Sequence, residues 1–213
     1  MRFTRAAAVV AAAVVAVPLV AGPAAATGKS KPLGTRSLAA VLTADKSGFD
    51  RNGRDYDILT AAVLAVLKAK PGSPVGVLTD GTTALTAFLP SDTAFEKLVA
   101  DIQHSKRLPS EKAAFTAVAG LGIDTVESVL LYHVVPGATI TRTAALKSDG
   151  ARLTTAAGST VKVDVYGYCW KSVKLIDADR SDRDPRINKF DLNKGNRQIA
   201  HGIDGVLRPI DLP

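Results

Sequence analysis

Few side chains in this 213-residue chain are equipped for chemistry, and their spacing restricts what they can do together. There is one cysteine, Cys169, and there are three histidines, His104, His133 and His201, none at the spacing that sets two metal ligands on one helix face. A tetrahedral zinc site therefore lacks its donors, and no metal site is assigned from these residues. Cys169 with His133 or His201 is the only thiol and base pairing, and neither a Gly-x-Ser-x-Gly elbow nor a glycine-rich phosphate loop occurs. Cys169 lies in Val165-Tyr166-Gly167-Tyr168-Cys169-Trp170, where a cysteine reads as a small packing residue. The chain is read as non-enzymatic and without a cofactor.

Carboxylates are the remaining chemistry. Asp177, Asp179, Asp182 and Asp184 crowd one charged stretch, 177–196, and hard cations such as calcium take several carboxylate and carbonyl oxygens. An EF-hand register fails there: Asp182 stands where the sharp-turn glycine belongs and Asn188 where the closing glutamate belongs. Arg180, Arg183 and Arg186 are interleaved and able to neutralise the aspartates directly. Asp50, Asn52, Asp55 and Asp57 form a second, shorter group of the same chemistry. Tyr166, Tyr168 and Trp170 alternate and so share one face of a strand, a platform for sugar or polymer if exposed and core if buried.

The elements that must position these groups follow from apolar periodicity. Leu38, Val41 and Leu42 recur at helical spacing in 37–44, and Ile58, Leu59, Ala62, Val63, Val66 and Leu67 predict a helix from Ile58 to Ala69 capped by Asp57 and stopped at Pro71-Gly72-Ser73-Pro74. Val75–Leu78 and Thr82–Leu89 read as strands around a Thr79-Asp80-Gly81 turn. Helices are expected over Thr93–Asp101, capped by Ser91 or Asp92 or by a Thr93/Glu96 box, and over Thr125–Leu131. Tyr132 to Val135, Ile140–Leu146, Leu153–Thr155 and Val161–Val165 read as strands, with Ala157-Gly158-Ser159 turning between the last two. A stretch as long as 177–196 with no structure of its own is functional or mobile.

The amino terminus carries the marks of a leader. Arg2 and Arg5 precede an Ala/Val run from Ala6 to Val17, and Ala24-Ala25-Ala26 offers a cleavage site, so residues 1–26 are read as a secretory signal peptide and 27–35 as a flexible tether. The run is too short for a comfortable membrane span, and no stable span is expected after its removal. Losing Arg2 and Arg5 lowers the net charge from +7 to +5, a modest surplus scattered among acids, which argues against a nucleic-acid partner.

Three segments carry a resemblance. Thr86-Ala-Phe-Leu-Pro90-Ser91-Asp92-Thr-Ala-Phe95, Leu131-Tyr132-His133-Val-Val-Pro136-Gly137 and Asn196 to Pro209, with His201 and Asp204, together resemble the signature motifs of the fasciclin domain family, in order and spacing. Two positions depart from it: Leu89 stands where the family often has a small residue, and Asp92 where it often has Asn. The resemblance implies an α+β fold, a single domain over 36–213 in which a twisted β-sheet wedge packs against a group of short helices, with 177–196 as a charged insertion. It also implies an extracellular adhesion or binding module, here of a secreted bacterial type, at the cell surface or in the matrix, with a protein or polysaccharide partner. The alternative is an exported small-ligand or calcium-binding protein using the 177–196 stretch. The binding candidates are Tyr132, His133, Asp177, Asp179, Asp182 and Asp184. The Tyr-His pair is associated with receptor binding in animal relatives, although the residues themselves favour a buried histidine bonded to backbone. Pro90, Ser91, Asp92, Phe95, Pro136, Gly137, His201, Asp204 and Pro209 are the motif residues with structural roles.

Overall fold

Apolar spacing and local capping build the helical half of the fold. Residues 31–210 are described by the structure, a computed structural model; the leader assigned to 1–26 lies outside them. Helix α1, Leu38–Leu42, begins at Ser37, whose hydroxyl accepts from the Ala40 amide. Helix α2, Asp57–Ala69, buries Ile58, Leu59, Ala62, Val63 and Val66 along one stripe. Helices α3, Asp92–Ile102, α4, Glu111–Gly120, and α5, Ile123–Tyr132, complete the group that packs on α2.

The cap of α2 differs from expectation. Asp57 is its first helical residue, and the amides of Asp57 and Ile58 donate instead to the two oxygens of Asp92, at 3.0 and 2.8 Å. Helix α2 is thus capped by a carboxylate from the start of α3, and Asp92 is fully buried in doing so. Ser91 occupies the N-cap position of α3 but makes no side-chain cap bond.

Two sheets follow. Strand β1, Leu85–Pro90, is flanked by β2, Val134–Pro136, antiparallel, and by β7, Gln198–Ile203, parallel; β6, Ile187–Leu192, lies antiparallel on the far side of β7. Strands β3, Arg152–Thr154, β4, Thr160–Tyr166, and β5, Ser172–Ile176, form an antiparallel meander. A bridge between Lys174 and Arg186 joins the two sheets. β1 and β7 are buried along their whole length, as a parallel pair covered on both faces should be. Along β1, Leu85, Ala87 and Leu89 enter the helical core while Phe88 enters the core shared with the meander.

Several expected strands are not strands. Val75–Leu78 lies in a 3-10 helix, Pro74–Thr79: Pro74 presets the first φ, and the Ser73 hydroxyl accepts from Val75 N. Thr79-Asp80-Gly81 is accordingly no hairpin turn; the Asp80 carboxylate gathers the Thr82 amide and the Thr82 and Thr83 hydroxyls to lead the chain into β1. Within Ile140–Leu146 the chain forms a short helix α6, Arg142–Ala145, capped by Thr141. Tyr132 closes α5 and His133 is its C-cap, so β2 starts at Val134. The 177–196 stretch is not structureless, because the 6 residues of β6 lie within it and pair with β7 through two register shifts. At its start the domain is held before Arg36: Gly34 exchanges backbone hydrogen bonds with Gly195 and Arg197, and Arg36 N donates to Asn196 Oδ1.

Candidate functional site

Both motif histidines are consumed by backbone. His133 donates from Nδ1 to the Val129 carbonyl at 2.7 Å, and its Nε2 accepts from the Leu207 amide at 2.9 Å. These bonds fix one neutral tautomer, and burial pushes the ring's pKa down to about 4. Tyr132 is wholly buried, its hydroxyl donating to Thr160 O. Burial, with the nearby Asp177, pushes its phenol up to about 12. Both residues of the candidate pair Tyr132 and His133 are buried, and their hydrogen bonds make a joint between α5, β4 and the chain after β7. His201 bridges in the same way: Nε2 meets Ile140 O at 2.8 Å, Nδ1 accepts from Asp191 N at 3.1 Å, and the ring stands edge-on to Phe190. Burial holds its pKa below the ordinary value.

The aspartates of 177–184 turn inward on one cation. Arg208, buried beside Pro209, places Nη1 3.3 Å from Asp179, Nη2 2.8 Å from Asp101 and Nε 3.2 Å from Asp182, while its backbone amide donates to Asp177 at 2.8 Å. Asp184 is 3.4 Å from Lys174. Burial tends to raise Asp179, yet the Ser181 hydrogen bonds and Arg208 hold it below the usual carboxylate range. Of the four binding candidates, Asp179 and Asp182 meet this guanidinium, Asp177 accepts from the Arg208 amide, and Asp184 pairs with Lys174. Asp204 serves the same region, accepting from Arg186 N and pairing with Arg183.

The remaining motif positions shape turns and core. Pro90 ends β1, Phe95 is buried in the helical core, and Pro136 faces Leu85 across the sheet. Gly137 adopts φ of 81° while its amide bonds Ala84 O, a conformation that favours glycine.

What the fold does expose is aromatic. Tyr168 is 100% exposed and Trp170 89% exposed at the tip between β4 and β5, with the free Cys169 between them. The alternating strand expected through Trp170 ends at Tyr166, and a tight turn replaces it. Gly167 makes that turn at φ of 93°, where a β-carbon would collide with the Trp170 carbonyl. Behind the tip, Tyr166 is half-buried and carries the Arg186 guanidinium 5.4 Å from its ring centre. Two rings at an exposed turn can stack on flat apolar faces while their polar edges stay wet. On a different face, Arg54, Lys97 and Lys189, with Tyr56, Ser91 and Thr93, line an open cleft of about 470 Å3. Among the described residues no helix is long and apolar enough to cross a membrane alone.

The Fasciclin domain family model matches residues 60–209. A solved FAS1 domain pair from the insect cell adhesion molecule fasciclin I superposes with a TM-score of 0.55 at 15% identity, covering 82% of this chain and 51% of that one. This chain thus spans about half of that structure, and the likeness is one of fold. No curated protein matches the chain.

Proposed function

We propose, from the premise that this chain belongs to the fasciclin domain family, that it is a secreted, non-enzymatic module for binding at the cell surface or in the extracellular matrix, and that the Tyr168–Trp170 tip makes the contact. The exposure of both rings carries this reading. Large aromatics left in water at a turn contribute nothing to the core and are the residue types that dominate binding energy once covered. Support for a non-catalytic role comes from the same geometry: Cys169 sits at the tip, while His133 and His201 are buried and bonded to backbone.

The test is solid-phase binding of the chain to whole cells and matrix polysaccharides, alongside a Tyr168→Ala/Trp170→Ala variant. Exposed side chains outside the core leave stability within about 0.5 kcal/mol, so the variant folds. Saturable binding that falls at least tenfold in the variant supports the reading. Equal binding by both proteins removes the tip from the contact, and no binding by the parent chain sinks adhesion itself.

A further inference from the structure

Three helices of this fold start close together, and each brings a carboxylate to the same place: Asp57 at α2, Asp92 at α3 and Glu111 at α4. The preceding loop adds Asp50 and Asp55. One oxygen from each of Asp50, Asp55 and Asp57 lies within 4.8 Å of the other two, and Asp55, Asp92 and Glu111 form a second such triplet that shares Asp55. Helix amides explain part of the gathering. Asp92 takes the two free amides of α2, and Glu111 Oε2 accepts from Asp50 N at 2.6 Å.

They do not explain Asp57. Asp57 is 8% exposed, and its Oδ2 is buried without any hydrogen-bond donor, as is Oδ1 of Asp55. Among the described residues no Lys or Arg nitrogen forms an ion pair with any of the five acids. Arg54 and Lys189 line the cavity of about 350 Å3 onto which Asp55 and Asp57 open, without pairing with them. The contrast with the other acid-rich region is chemical: there Arg208 supplies the positive charge, and here no group does.

The geometry points to a calcium site in which Asp50, Asp55 and Asp57 are ligands, the unpartnered Asp57 Oδ2 faces the ion, and Glu111 closes the site from α4. Every donor is an oxygen, which selects a hard cation. Calcium takes six to eight such oxygens in flexible geometry, whereas magnesium demands a near-ideal octahedron and keeps several of its waters. The ion would tie the 50–55 loop to the starts of α2 and α4. This inference is independent of the aromatic tip, which lies on another part of the fold.

The experiment is calorimetric titration of the chelator-treated full chain with calcium chloride near pH 7.5, with Tm followed in parallel. One ion per chain is expected, with Tm rising by about 5 °C at a hundredfold excess over Kd. Asp57→Asn, and separately Asp50→Asn/Asp55→Asn, should weaken binding at least tenfold, while Asp184→Asn leaves it unchanged. Asp57→Asn should also raise Tm in chelator, because it removes an uncompensated charge, and that rise certifies that the variant folds. Absence of both heat and Tm shift at millimolar calcium overturns the inference, as does full affinity in the double variant or equal affinity for magnesium. The Tyr168→Ala/Trp170→Ala variant should bind calcium like the parent, so the two readings fail separately.

Discussion

At the scale of single residues, the decisive group is Arg208. Its buried guanidinium meets Asp179, Asp182 and the more exposed Asp101, and removing it strands the charges of Asp179 and Asp182 away from water. Arg208→Met is expected to cost about 3–5 kcal/mol in urea unfolding. Arg208→Lys should recover less than half of that, because a point charge cannot span three carboxylates as a planar fork does. The histidines give a second, spectroscopic expectation. With its ring neutral and pinned on both nitrogens, His133 should titrate by NMR with a midpoint of about 4, well under its usual 6.5. The folded state then binds fewer protons than the unfolded chain between those values, so this residue's contribution is complete above pH 6.5 and is lost as pH falls toward 4. A midpoint near 6.5 would show that the ring is wet and that the Leu207 contact is absent.

At the scale of elements, the trans-cap between α3 and α2 makes the cleanest test. Asp92→Ala leaves two buried amides without an acceptor and should cost about 2 kcal/mol or more, whereas Asp92→Asn keeps one acceptor oxygen and should cost less than half as much. Burial, with the hydrogen-bonded Asp55, pushes the Asp92 carboxyl up to about 8. The folded chain therefore holds an extra proton between about 3.8 and 8, and in chelator its stability should drop as pH rises through that window; Asp92→Asn should flatten the curve. Here lies the boundary of what the amino-acid order reveals. Helix α2 and strand β1 are legible because their apolar period is local, and the three motifs fix the fold class. Asp57 misleads as a cap because the competing acceptor sits far along the chain. Val75–Leu78 and Ile140–Leu146 are rich in β-branched residues, yet Pro74 and Thr141 start helical turns there, so local capping overrides propensity. Helix α4 is too alanine-rich to display a stripe, and Arg208 is visible as a lone buried cation only once its acids are folded around it.

At the scale of the whole molecule, Gln198 shows how distant segments are held in one piece. Fully buried on β7, it accepts from Leu38 N at 2.7 Å and donates to the carbonyls of Val77 and Asp80 at 2.7 and 2.8 Å. Gln198→Leu should unpair all three groups and lower stability by about 2–4 kcal/mol. Hydrogen exchange should show the 33–43 segment and the 3-10 turn opening together in that variant, while the meander of β3, β4 and β5 stays protected. Independent opening of the two segments would show that the glutamine does not join them. The same strand has a further consequence. β1 gains its parallel neighbour only from β7, Leu85 facing Gln198 far along the chain, so the central pairing of the sheet closes a long loop. A fold whose central pair meets only across so long a loop defers its main reward to one distant encounter, and the speed of folding is set by how soon that encounter happens.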